Sequence, residues 1–301
     1  MLNRRSFLLS ASFLPVLRAQ DAEPIFSSAV KVVSIIASVR DSQGRLVHDL
    51  SKEELTVAEN GVPQVVRYFS RDTDLPLTLG ILVDTSMSQE KVMSEERAAS
   101  LRFIDRVLRE DKDQFFIGRF DMAVSFPQRL TASREKLEKA LIFVDTPTRA
   151  ELRRQSGGGT LLFDCVASAS KDILAKRQGR KALIILSDGG ENGSDTTLED
   201  SINAAQLTDT MIYSILFGGT EGRGILQKMS RDTGGGFFEV TRKKPIVDIF
   251  DTIQEELRGQ YSLGYVSSLP VRISEFRNLK LAATRKGLTV QCRTRYWAER
   301  T

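Results

Sequence analysis

The sequence predicts an α/β unit, a mostly parallel sheet covered by helices on both faces, inserted between two β segments. Three observations carry this reading. Apolar residues alternate with period two at both ends of the chain, short apolar runs alternate with stretches at helical spacing between them, and turn residues fall where the period changes. With 301 residues, 41% of them hydrophobic and 27% charged, the chain has ample surface to bury. Disordered, collagenous and disulfide-stapled classes therefore fall away.

Residues 1–19 read as an export signal: Arg4 and Arg5, an apolar stretch over 6–17, then Arg18-Ala19 with a small residue at the expected cleavage point. Arg4-Arg5-Ser6-Phe7-Leu8 is similar to a twin-arginine signal; the alternative is an ordinary secretory signal whose arginines form its basic start. The apolar stretch is too short to span a bilayer, no cysteine follows it, and no later segment is long and apolar enough to hold the chain in a membrane. The expectation is an exported protein, periplasmic or secreted, without stable membrane insertion.

Residues 24–75 form the first β segment. Val33, Ile35, Ala37 and Val39 share one face of a strand over 29–40, Ser51-Lys52-Glu53-Glu54 is a capping box for one helical turn, and Asn60-Gly61 marks a hairpin. From 77 to 260 strands and helices alternate. Strands are expected at 77–83, 114–119, 122–126, 182–186, 211–217 and 237–240. Helices are expected around Ala99, Phe103 and Val107, and over 134–144, 161–175, 198–207, 225–231 and 245–257. Residues 261–301 return to alternation, with Leu279, Leu281 and Ala283 on one strand and Leu288 through Tyr296 on another. Neither terminal segment carries enough apolar area to stand alone, so the two are expected to pair in one small β-sandwich-like domain.

Composition excludes several chemistries. His48 is the only histidine, which removes the Ser-His-Asp triad, the Cys-His dyad and nearly all zinc hydrolase sites. Cys165 and Cys292 are too few for a cysteine metal cluster and are expected as buried thiols, with a disulfide between them as the alternative. The formal charge of +4 owes three of its arginines to the first nineteen residues, so the rest is near neutral and offers nucleic acid no electrostatic footprint.

The candidate chemistry sits where strands end. Asp84-Thr85-Ser86-Met87-Ser88 closes the first α/β strand, Gly157-Gly158-Gly159-Thr160 precedes a helix, and Leu186-Ser187-Asp188-Gly189 closes another strand. All three come to the C-terminal edge of the sheet, where open α/β folds bind ligands. Their oxygens suit a hard cation, Mg²⁺ or its close substitute Mn²⁺. Only two carboxylates contribute, so the ion stays electrophilic enough to accept a partner's carboxylate.

Asp84-x-Ser86-x-Ser88, Thr160 and Asp188, in that order and those contexts, resemble the metal-ion-dependent adhesion site of the von Willebrand factor type A domain family. The resemblance covers about 77–260. It implies a doubly wound six-stranded sheet with one antiparallel edge, Asp84, Ser86, Ser88 and Thr160 lining the ion, Asp188 acting through a water, and capture of an acidic group on a protein ligand. The layout as a whole, including Thr56-Val57-Ala58-Glu59-Asn60-Gly61 and Tyr261-Ser262-Leu263-Gly264-Tyr265, is similar to exported bacterial proteins described as VWFA-related. Asp121, Glu191 and Asn192 are candidates for a rim that tunes ligand choice. The helix over 245–257 stands where the family has a mobile last helix; its apolar stripe also reads as plain core packing.

A non-enzymatic binding module is the leading functional reading. One alternative is a Mg²⁺-dependent phosphatase-like hydrolase with Asp84 as nucleophile, although Ser86 stands where such enzymes place a second aspartate and no phosphate loop is present. Another is an accessory subunit of an ATPase-driven assembly complex, which the export signal disfavours.

Overall fold

The structure, a computed structural model, describes residues 31–71, 74–146, 159–219 and 221–300. The export signal and the pair Gly157-Gly158 lie outside the described residues.

The first β segment supplies β1 (Val32–Arg40), β2 (Leu55–Glu59), β3 (Val62–Gln64) and β4 (Val66–Ser70). Asn60 and Gly61, both at positive φ (47° and 82°), turn β2 into β3 as a type I′ hairpin requires. The helical turn Lys52–Glu54 precedes β2, and Glu54 Oε2 accepts the Ser51 backbone N–H at 3.0 Å.

The central sheet contains β5 (Leu77–Asp84), β6 (Gln114–Phe120), β7 (Val124–Thr131), β8 (Arg180–Ser187), β9 (Thr210–Leu216) and β10 (Phe237–Glu239). Their spatial order is β10-β9-β8-β5-β6-β7, and every pairing is parallel except β6 with β7. β5, β8 and β9 are buried along their whole length, as strands covered on both faces must be. The edge strand β7 starts later than the alternation suggests, because Asp121 Oδ1 accepts the Ala123 N–H at 3.1 Å and holds a turn there. It carries Pro127 and irregular register against β6, both tolerable at an edge.

Among the described residues six helices flank the sheet: α1 (Met93–Val107), α2 (Arg134–Ile142), α3 (Leu162–Ser168), α4 (Leu198–Leu207), α5 (Arg223–Thr233) and α6 (Ile246–Gly259). The helix expected over 161–175 changes pitch: after α3 the turn widens over Ala169–Leu174, where the Ala175 N–H reaches the Ser170 carbonyl at 2.9 Å. One face of the sheet packs on α1, α2 and α6, with Phe103 stacked on Phe250 at 4.6 Å between ring centroids. The other face packs on α3, α4 and α5. The stripe Ile246, Ile249, Phe250, Ile253 and Leu257 of α6 is buried in the first of these cores.

The last segment forms β11 (Tyr261–Val266), β12 (Glu275–Ala283), β13 (Thr289–Cys292) and β14 (Arg295–Ala298). Two four-stranded sheets result, ordered β13-β1-β11-β4 and β14-β12-β2-β3, and each mixes strands from both ends of the chain. They share one apolar core built on Ile35, Val39, Val57, Leu263, Tyr265 and Leu281. Glu59 and Arg277 form an ion pair in it at 2.7 Å, both nearly free of solvent. The alternation expected as a single strand over 288–296 is two strands in different sheets. Thr294 donates its N–H to the Asp232 carbonyl at the end of α5 at 3.1 Å, which breaks the ladder and sends the chain across. Cys165 and Cys292 are free thiols, the first buried on α3 and the second half-buried on β13.

Candidate metal centre

Asp84 is the last residue of β5 and fully buried. Its Oδ1 accepts the Ser86 backbone N–H at 2.9 Å, and its Oδ2 accepts the Ser187 hydroxyl at 2.6 Å. Ser187 Oγ in turn accepts the Gly189 N–H at 2.8 Å. The carboxylate is thus aimed by two loops at once, yet each oxygen keeps a further lone pair. Burial pushes the Asp84 carboxyl up to about 6, with the nearby Asp188 charge adding to the effect.

Ser86 caps the short turn Met87–Gln89, which places the Ser86 and Ser88 hydroxyls 3.0 Å apart at the molecular surface. Thr85, the residue between, faces the other way: its hydroxyl donates to Asp121 Oδ2 at 2.7 Å. Asp188 follows β8, and its Oδ1 accepts the Gly190 N–H at 2.9 Å. The chain can turn so tightly here because Gly189 has φ +78° and a Cβ on it would sit 2.6 Å from the Gly222 backbone. Thr160 is held by a two-bond bridge to Asn192, N–H to carbonyl at 2.9 Å and carbonyl to N–H at 3.1 Å.

The structure therefore gathers Asp84, Ser86 and Ser88 with Ser187 into one hydrogen-bonded chain, sets Asp188 within electrostatic reach of Asp84, and ties Thr160 to the loop that follows Asp188. Of the three residues expected at a rim, Asp121 and Glu191 spend their carboxylates on internal bonds. Asp121 is buried and spends its carboxylate on Thr85 and Ala123, while its carbonyl accepts the Leu161 N–H at 2.9 Å. Glu191 accepts the Phe163 N–H and the Ser194 hydroxyl at 3.0 Å each, capping the first turn of α3. Asn192 is exposed, and its backbone forms the bridge to Thr160. These contacts brace the loop carrying Thr160.

Two polar residues escape the sequence reading. Ser187 lies in a quoted motif but its bond to Asp84 depends on the pairing of β8 with β5. Glu96, in the first turn of α1, is 1% exposed, and burial together with the Asp84 and Asp188 charges pushes its carboxyl up to about 8. The available signal is its position on the stripe of Ser100, Phe103 and Val107, where a charge is out of place.

The donor set fits a hard divalent cation. Two cis oxygens on an octahedral Mg²⁺ lie about 3 Å apart, given Mg–O distances near 2.0–2.1 Å, which is the Ser86–Ser88 hydroxyl separation. Among the described residues no three His, Cys, Asp or Glu side chains gather closely enough to cage an ion. Any cation here takes hydroxyls as well as carboxylates. A cleft of about 400 Å³ lies elsewhere, lined in part by Ser34, Lys181, Met211 and Arg293, and includes none of these residues.

A doubly wound sheet with an aspartate, two hydroxyls and a second aspartate at its C-terminal edge defines an α/β ligand-binding module. The von Willebrand factor type A domain family matches residues 77–238, more than half of the chain, and the protein belongs to that family. Among solved structures, a von Willebrand factor type A protein from Catenulispora acidiphila is similar at 13% identity and TM-score 0.51, covering 90% of this chain and 75% of its own. Proximal thread matrix protein 1 of the mussel byssus, in a structure described as having a zinc-occupied MIDAS motif, is similar at 14% identity and TM-score 0.50, covering 67% and 50%. Conserved hypothetical protein BatB from Bacteroides thetaiotaomicron aligns at 15% identity and TM-score 0.47, covering 60% and 97%. Among curated proteins none matches the chain significantly.

Proposed function

We propose that the protein is an exported, non-enzymatic binding module that captures an acidic side chain of a protein partner through Mg²⁺, or Mn²⁺, held by Asp84, Ser86, Ser88, Thr160 and Asp188. The observation that carries this is the pair of surface hydroxyls 3.0 Å apart beside a fully buried, doubly anchored Asp84. Two carboxylates neutralise a divalent ion without saturating it, and the ion supplies a Lewis-acid vertex for an incoming carboxylate oxygen. The zinc in the MIDAS motif of the mussel protein supports divalent metal use on this fold. Ser187 aims Asp84, and the Thr160–Asn192 bridge fixes the loop across from it.

Against the hydrolase alternative stands the presentation of Asp84. A nucleophilic carboxylate needs an oxygen facing substrate, whereas this one is 0% exposed with both oxygens hydrogen-bonded. The terminal segments 24–75 and 261–301 serve in this proposal as one β platform under the binding unit. No helix among the described residues is long and apolar enough to cross a membrane.

The test is a crosslinked pull-down from an envelope fraction in Mg²⁺ and in chelator, with the native chain and Asp84→Ala side by side. Capture that requires both the ion and Asp84 is expected. Capture that survives chelator, or the loss of Asp84 in a folded variant, overturns the reading.

A further inference from the structure

We propose that Glu96 is a sixth residue of the metal centre, a buried carboxylate that receives hydrogen bonds from the ion's water and sets how tightly the cation is held. This rests on the metal-binding reading above and extends it to a residue outside the adhesion motif.

The argument begins with what Glu96 lacks inside the protein. It is 1% exposed, and neither carboxylate oxygen has a hydrogen-bond partner. Among the described residues it forms no ion pair, and the charges acting on it are all carboxylates: Asp84 and Asp188 of the site, and its neighbour Glu95. Burying a carboxylate without a partner costs several kcal/mol, and two like charges nearby raise the cost further. Left to itself such a carboxyl holds its proton; a cation, or water polarised by one, is what favours its charged form here.

A second observation points the same way. Gln89, 2% exposed, stands beside Ser88, its Nε2 3.4 Å from the Ser88 hydroxyl, and its Oε1 has no partner. The Ser100 hydroxyl, one turn beyond Glu96 on α1, is buried and also without a partner. Backbone bonds run from Val92 to Gln89 and from Glu96 to Val92, each at 3.0 Å, so these residues follow one continuous helical face. Unpartnered polar atoms therefore line the path from the motif loop down the inner face of α1, a face that otherwise carries Phe103 and Val107.

Glu96 acts at one remove. No three carboxylates come close enough to share an ion among the described residues, so its contact runs through water, as outer-sphere residues of metal sites do. Its charge turns a formally neutral ion site into one that is net negative. The cation gains affinity, and its pull on a partner's carboxylate is moderated.

The experiment uses the full chain, Mn²⁺ as the probe, and the variants Glu96→Gln, Glu96→Asp and Asp84→Ala. Mn²⁺ affinity is read by electron paramagnetic resonance and stability by urea unfolding in chelator. Glu96→Gln is expected to weaken Mn²⁺ binding by about tenfold or more while leaving the chelated protein as stable as the native chain or more so. Glu96→Asp, which keeps the charge, is expected to restore most of the affinity. A residue that only packs gives the opposite pattern: unchanged Mn²⁺ affinity in Glu96→Gln, or lower stability in chelator, and either result overturns the proposal. A native chain that binds Mn²⁺ no better than Asp84→Ala overturns the metal reading itself.

Discussion

Stability of the metal-free protein is expected to fall as pH rises from 4 to 8, the reverse of ordinary acid denaturation. Asp84 titrates near 6 and Glu96 near 8 in the folded chain, both raised chiefly by burial, against roughly 4 in the unfolded chain. A carboxyl raised on folding leaves the native state holding more protons than the unfolded state between those values, so its contribution is complete below about pH 4 and is lost as pH climbs through the folded value. At about 1.4 kcal/mol per tenfold change in proton affinity, Asp84 accounts for about 3 kcal/mol and Glu96 for about 5. Part of the Glu96 rise comes from the Asp84 charge, so the two do not simply add, and their joint effect is about 3–6 kcal/mol, a large share of a typical domain's stability of roughly 5–15. Carboxylates held low, such as Asp113 between Arg109 and Arg258, lose their contribution below pH 4 and do not compete in this window. The assay is urea unfolding followed by fluorescence at pH 5, 6, 7 and 8 in chelator, then in excess Mn²⁺. The ion is expected to protect most at pH 8, since cation binding requires ionised ligands. A chelated protein whose stability is flat or rises across this range refutes the reasoning.

Three further outcomes follow from single contacts. Glu59→Ala leaves the Arg277 guanidinium buried without its 2.7 Å partner and is expected to cost about 3–5 kcal/mol in urea unfolding, with much recovered when Arg277→Met is added. Gly189→Ala meets both a positive φ and the Gly222 backbone at 2.6 Å; a loss of about 1–3 kcal/mol and weaker Mn²⁺ binding are expected, because Asp188 is the adjacent residue. Phe250→Ala empties the space stacked on Phe103 and is expected to lower stability by about 3–5 kcal/mol while leaving Mn²⁺ affinity within about twofold of native.

Periodicity made the central sheet legible because β5, β8 and β9 are buried on both faces and read as uninterrupted apolar runs ending in polar residues. The placement of Asp84, Ser86, Ser88 and Asp188 at one sheet edge was legible for a related reason: they follow directly where two of those runs, β5 and β8, stop. What escaped the sequence depends on contacts between distant segments. The 288–296 alternation runs straight through Arg293 and Thr294, and only the anchoring of Thr294 to Asp232 shows that the chain changes sheets there. Asp121 and Glu191 look like free surface acids until their bonds to Thr85 and Phe163 are seen. Glu96 reads as one more charge on a helix until the packing of α1 encloses it.

The placement of β1 between β11 and β13 has a consequence for synthesis. The Arg40–Glu256 ion pair alone joins positions 216 apart, and β11 begins only after Glu256. At translation rates of about 5–20 residues per second the nascent first strand waits roughly 10–40 s for its neighbours to leave the ribosome. Throughout that interval Val33, Ile35, Ala37 and Val39 form an uncovered sticky edge. A strand left unpaired for that long is the kind of exposed edge on which nascent chains associate with one another.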